Sequence, residues 1–174
     1  LQSQVHEAFV RVWSSTLGRS LNYSPSDAFE TFPLPPEQGD GSPLARAARE
    51  LYEARAATMV REQVGLTRLY NRLHDSKEQG EELQRLRELH RALDVAVLAA
   101  YGWEDVQPGH GFHATDAGHR FGLSDAARAE VVSRLGTLNH ERAAAEAQGE
   151  PRVVAAPPAP VSATPRGTTG DLFG

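Results

Sequence analysis

Leu83, Leu86, Leu89, Leu93, Val97, Ala100 and Tyr101 recur at helical spacing and then meet Gly102, and no other pattern in the chain runs as long without a break. A period near 3.6 places these side chains on one face of a helix, and a glycine just past the last of them suits the left-handed residue that closes many helices. A helix of this length with one apolar face must bury that face against something. The rest of the chain therefore has to supply partners for it.

Four other segments supply them. Ser42 followed by Pro43 marks a helix start, and Leu44, Ala47, Ala48, Leu51, Tyr52 and Met59 share a face over residues 43–62, with an end near Gly65. A short helix over 66–74 presents Leu66, Leu69, Tyr70 and Leu73. Ser124 caps a last helix that carries Val131, Val132, Leu135 and Leu138, and Val5, Phe9, Val12, Trp13 and Leu17 predict a first helix over 5–17. The second, third and fourth of these helices are expected to form a small antiparallel bundle.

Between these helices the chain changes character. Tyr23, Phe29 and Phe32 are interleaved with Ser24, Pro25, Ser26 and Asp27, and Pro33, Pro35 and Pro36 forbid a continuing helix, so residues 22–36 read as a turn and a short extended arm. Residues 102–122 hold five glycines and little periodicity and read as a loop pinned by Trp103, Phe112 and Phe121. From Gly149 onward Pro, Ala, Thr and Gly dominate; such a segment buries too little apolar surface to offset its ordering entropy and is expected to be disordered.

A formal net charge of -5 gives no overall basic field of the kind an autonomous DNA-binding module advertises. Among the basic residues only Lys77 is lysine, a bias that suits bidentate phosphate contacts and that a GC-rich genome also produces. The absence of cysteine excludes disulfides, thiolate metal sites and cysteine nucleophiles, and fits a cytoplasmic protein. No apolar run approaches the roughly 18 residues of a membrane span, and no signal-peptide pattern opens the chain, so a soluble protein without a membrane partner is expected. The chain begins at Leu1 and enters a helical pattern at once, from which an upstream extension of the natural protein is expected.

His110, His113 and His119, with Asp116 nearby, superficially suggest a metal site, but their spacing fits no helical or finger signature, and the favoured reading is a solvated loop without metal. His90, among Leu86, Leu93 and Val97, reads as a hydrogen-bonded core histidine. Arg55 lies by helical-wheel angle in the apolar stripe of its helix; it either pairs with Asp94, which flanks the apolar face of the fourth helix, or both lie at the bundle rim and touch water. The chain holds no glycine turn after a strand for a methyl-donor cofactor, no Asn/Asp-Pro-Pro-aromatic loop, no phosphate loop, no nucleophile elbow and no His-Glu-x-x-His helix. Catalytic residues are accordingly assigned to none of its positions.

The string Tyr23-Ser24-Pro25-Ser26-Asp27-Ala28-Phe29-Glu30-Thr31-Phe32-Pro33-Leu34-Pro35 resembles a segment near the end of the target-recognition region in large DNA adenine methyltransferases of the type IIG restriction-modification kind and their stand-alone and phage-defence relatives. Three later strings resemble segments downstream of it in those proteins. They are Gly65-Leu66-Thr67-Arg68-Leu69-Tyr70-Asn71 with Leu73-His74, then Leu89-His90-Arg91-Ala92-Leu93-Asp94 with Ala99-Ala100-Tyr101-Gly102-Trp103, and Leu138-Asn139-His140-Glu141-Arg142. All four fall in the expected order. The His/Gly-rich stretch before the last helix looks like an insertion, and the Pro-rich tail has no counterpart.

The resemblance implies a mainly α chain with residues 1–36 as the end of a DNA target-recognition region, 37–148 as a C-terminal helical domain, and 149–174 as a disordered tail. It implies a parent that methylates adenine N6 in double-stranded DNA with S-adenosylmethionine, in some relatives with restriction activity, while this part holds no cofactor and docks an upstream methyltransferase domain. Arg19, Tyr23, Ser24 and Ser26 are then the candidate DNA contacts, directed at phosphates. The other reading of the arm is that Tyr23 packs, and that Phe29, Phe32 and the prolines tie the recognition region to the body; for the two phenylalanines this is favoured. A different class of function is a helical module that docks another protein chain. The terminal Gly170-Asp171-Leu172-Phe173-Gly174 resembles peptides that dock on bacterial sliding clamps, although Thr168 or Thr169 stands where such a peptide carries Gln.

Overall fold

A computed structural model describes residues 2–13, 16–17, 20–21, 30–36, 38–115 and 118–148. Among the described residues the protein is mainly helical, with the order α1 (Gln4–Trp13), β1 (Thr16–Leu17), β2 (Ser20–Leu21), α2 (Pro43–Glu62), α3 (Leu66–Leu73), α4 (Glu81–Ala100), β3 (Gly111–Thr115), β4 (Gly118–Gly122) and α5 (Asp125–Ala147). None of these helices is long and apolar enough to cross a membrane. The expected disordered tail lies outside the described residues.

The central helix α4 turns Leu83, Leu86, Leu93 and Val97 inward, as the sequence spacing requires. It packs on α2, α3 and α1, and α1 in turn packs on α5. Val5, Phe9 and Phe32 therefore share one apolar core with Leu51, Leu69, Leu86, Val131 and Leu135.

Local chemistry accounts for the helix boundaries. Ser42 and Ser124 each accept the backbone N–H three residues on, at 3.1 and 3.2 Å, which satisfies amides that the first turn leaves without partners. Gly102, at φ +73°, follows α4 in the left-handed region, as expected. The first helix stops at Trp13, four residues short of the expected end. Beyond it, Thr16 and Leu17 pair antiparallel with Leu21 and Ser20.

The segment read as a loop over 102–122 contains a β-hairpin. Phe112 pairs with Phe121 and His113 with Arg120 in its register. Gly111, Gly118 and Gly122 occupy three of the four strand ends and suppress the β signal. Packing overrides that weakness: Phe121 is buried, its ring meets Phe112 at 5.6 Å, and the Arg87 and Arg91 guanidinium groups each lie 5.0 Å from one of the two rings. The expected pinning by these aromatics is what holds the hairpin.

At the end of α2 the left-handed position is taken by Gln63, φ 50°, rather than by glycine. A side chain there is strained against the backbone, so Gln63→Gly should stabilise the fold by about 1 kcal/mol. Urea denaturation would read this as a raised midpoint with an unchanged slope; a lowered midpoint would show that the glutamine side chain secures the turn.

Candidate functional site

The candidate DNA contacts Arg19, Tyr23, Ser24 and Ser26 all lie outside the described residues, as does Phe29. What the structure does describe is how the arm is fastened at either side. Before it, Trp13 stacks on Phe9 at 4.4 Å with the rings 16° apart. After it, buried Phe32 meets Phe9 edge-on at 5.2 Å and His6 at 4.5 Å, and the Tyr101 hydroxyl donates to the Pro33 carbonyl at 2.9 Å. Phe32 thus ties the arm to the body, as favoured from sequence. Trp103 stacks on Tyr101 at 4.4 Å and lies beneath Arg134, which donates to both Asp105 carboxylate oxygens at 2.8 and 2.5 Å.

Asp94 is fully buried on α4. Its Oδ1 accepts the backbone N–H of Gln4, the first residue of α1, at 2.7 Å, and its Oδ2 lies 2.8 Å from His110 Nε2. A carboxylate there answers the positive end of the α1 dipole, and Ser3 Oγ accepts a second first-turn amide, from His6. Burial pushes the Asp94 carboxyl above its ordinary range, opposed by the hydrogen bonds from His110 and Gln4.

Arg55 is not the partner of Asp94. It donates to Gln2 Oε1 at 2.7 Å and to the Tyr70 hydroxyl at 3.5 Å, and its guanidinium lies 5.8 Å from the Tyr52 ring. The wheel angle placed both residues on inward faces but carried no information on height or on which neighbour each would meet. Arg55 reaches the rim, but Asp94 does not share it, being fully buried, so the pair follows neither expected outcome in full. Asp94→Ala should cost about 2–4 kcal/mol, since it leaves the Gln4 amide and the imidazole of His110 without an acceptor, whereas Arg55→Ala should cost at most about 1. Denaturant melts of both single variants and the double test this: the losses should add, and a strong coupling would restore the pair.

Sequence reasoning overlooked Arg87. Its side chain is buried, and it donates to four backbone carbonyls: Leu73 at 3.0 Å, Glu78 at 2.8 Å, Asp75 at 2.9 Å and Arg72 at 3.4 Å. It thereby satisfies the last carbonyls of α3 and the turn after them. The signal was available, since positions 83, 87, 90 and 94 share one face of α4 and a guanidinium on it needs acceptors.

The histidines do not converge. His110 serves Asp94, His113 Nε2 lies 3.0 Å from the Gly109 carbonyl, and His119 is exposed. Among the described residues no group of three or more His, Cys, Asp or Glu could hold a metal. His90 is the core histidine expected, with the Tyr70 hydroxyl 3.1 Å from its Nε2.

His6, His74 and His90 are each lowered to about 4, burial being the largest cause in all three. A histidine depressed in the folded state leaves the unfolded chain with more bound protons between about 6.5 and 4, so stability is full above the ordinary value and falls as pH drops through that window. For His90 the loss should reach about 3 kcal/mol by the lower end. Urea melts across this range should show His90→Gln with a lower stability at neutral pH and a flatter acid limb than the parent; an equally steep limb would show that His90 does not carry this dependence.

No protein-family model, curated protein or solved structure matches the chain.

Proposed function

We propose that this chain is the C-terminal DNA-recognition and scaffold part of an S-adenosylmethionine-dependent DNA adenine-N6 methyltransferase, in the manner of the type IIG proteins that four of its strings resemble. The observation that supports the reading is that three of these strings bond one another in the fold. Pro33 of the first accepts the hydroxyl of Tyr101 in the third. Tyr70 of the second bonds His90 of the third. Residues that together resemble one family are here the residues that hold one tertiary arrangement. The scaffold role follows from the same contacts, since they fasten the arm that would border the DNA.

Tyr52, Val60 and Leu66 are large, apolar and exposed, at 60, 78 and 49 %. They favour a second reading, a helical module whose outer face docks another protein chain, and a scaffold seated on an upstream methyltransferase domain would use such a face too. The sequence of that upstream region discriminates: a cofactor-binding glycine turn and an Asn-Pro-Pro-aromatic tetrapeptide support the methyltransferase, and a region lacking both supports the docking module.

On this reading the chain alone neither binds S-adenosylmethionine nor methylates DNA, which calorimetric titration checks; micromolar binding would overturn the placement of the cofactor upstream. In the protein joined to its methyltransferase domain, Arg19→Ala with Ser26→Ala should weaken DNA binding for all sequences alike. The slope of log affinity against log salt should fall by about 0.9 for each phosphate no longer neutralised. The methylated sequence should not change; an altered one would mean that the arm reads bases.

A further inference from the structure

A shallow, open recess of about 30 Å³ lies where α1, the end of α3, β4 and the start of α5 come together. Its wall carries Arg11, His74, Arg120 and Arg128, one from each of those four elements, with Glu7 as the carboxylate among the described lining residues. Three guanidinium groups stand against Glu7 in the wall and Asp125 beside it, which leaves a local formal charge of +1 in a chain whose net charge is -5.

The cations are not all neutralised internally. Glu7 holds Arg11 at 2.6 Å, and Asp125 holds Arg128 at 2.7 Å. Arg120 meets no carboxylate and no hydrogen-bond acceptor among the described residues, although it is only half-exposed. His74 beside it is held neutral, lowered to about 4 by burial and next by the charge of Arg120, with Arg11 acting in the same sense. Its Nδ1 is buried and has no partner among the described residues. A planar guanidinium fork left without an acceptor, in a concave positive wall built by four separate elements, is the arrangement that a tetrahedral oxyanion satisfies.

We propose that this recess is a phosphate-binding site that takes a phosphodiester of the DNA backbone, with Arg120 as the principal contact and Arg11 and Arg128 flanking it. DNA as the source of the phosphate rests on the function proposed above; the site itself does not. It would give the chain a second point of attachment, sequence-independent, on the helical body rather than on the arm. Its charge is local, which is why the overall acidic composition conceals it.

Fluorescence anisotropy of the full chain with a labelled duplex, over a series of salt concentrations, tests the proposal. Arg120→Gln should weaken binding by roughly three- to tenfold and lower the salt slope by about 0.9, alike for unrelated sequences, while Arg85→Gln at an exposed position of α4 should change neither. Unchanged affinity and slope in Arg120→Gln would overturn the site while leaving a DNA-binding arm standing. A second measurement separates the two readings: titration of the isotope-labelled chain with inorganic phosphate, following the Arg120 side-chain resonance and the His74 titration by NMR. Saturable shifts of Arg120, with His74 protonating at a higher pH, support the site even where the chain binds no duplex, in which case DNA is overturned as the source. Absence of both duplex binding and phosphate shifts overturns the site and its proposed ligand together.

Discussion

The arrangement depends first on a carboxylate with no exposure to water. Asp94 joins three pieces that are far apart in the chain: its own helix, the first amide of α1 and the imidazole that leads into the hairpin. A buried charge survives only where hydrogen bonds replace its lost hydration, so each of these pieces is held at a definite height and angle. That requirement places α1 across α4, and from α1 follow the positions of Phe9 and Trp13, of Phe32 upon them, and of the wall that Arg11 contributes to the basic recess. Arg87 has a related part nearer the start of α4, on the same face. It gives the closing carbonyls of α3 and the turn after them a common donor, so the end of a short, weakly nucleated helix is secured from its longer neighbour.

Much of the helical frame was legible because its signals are local. The pair Ser42-Pro43, the cap Ser124, the face from Leu83 to Val97 and the glycine at 102 each act within a few residues, and the elements they predict are present. The features that escaped depend on distant partners. The hairpin of residues 111–122 has glycine-diluted strands whose stability comes from Phe112, Phe121 and the arginines of α4. Helical angle put Arg55 and Asp94 toward the same interior, yet the acceptor for Arg55 is Gln2 and the donors to Asp94 come from residues 4 and 110.

The two candidate contact regions differ in the same way. Arg19, Tyr23, Ser24 and Ser26 are contiguous enough to stand out by resemblance. The recess around Arg120 is assembled from four elements and leaves no trace in a linear reading, particularly in a chain whose net charge is negative. Conversely, the three histidines that drew attention by their closeness in sequence are separated in space by their roles, one buried on Asp94, one on a backbone carbonyl and one at the surface. Proximity along a strand pair is poor evidence for a shared ligand, because successive side chains point to opposite faces.

Fastening the arm at both its ends has an evolutionary consequence. Trp13 and Phe32 both lie against Phe9, so the two anchors on either side of the intervening stretch sit close together on the body. A segment closed at its base behaves as a cassette: its content and length can change while the hinge points and the core beneath them stay as they are. The entropy of closing such a loop rises only with the logarithm of its length, about 0.6 kcal/mol for each doubling. A lineage that needed a differently shaped arm could therefore vary the content between these two anchors while Phe9, Trp13 and Phe32 keep their places.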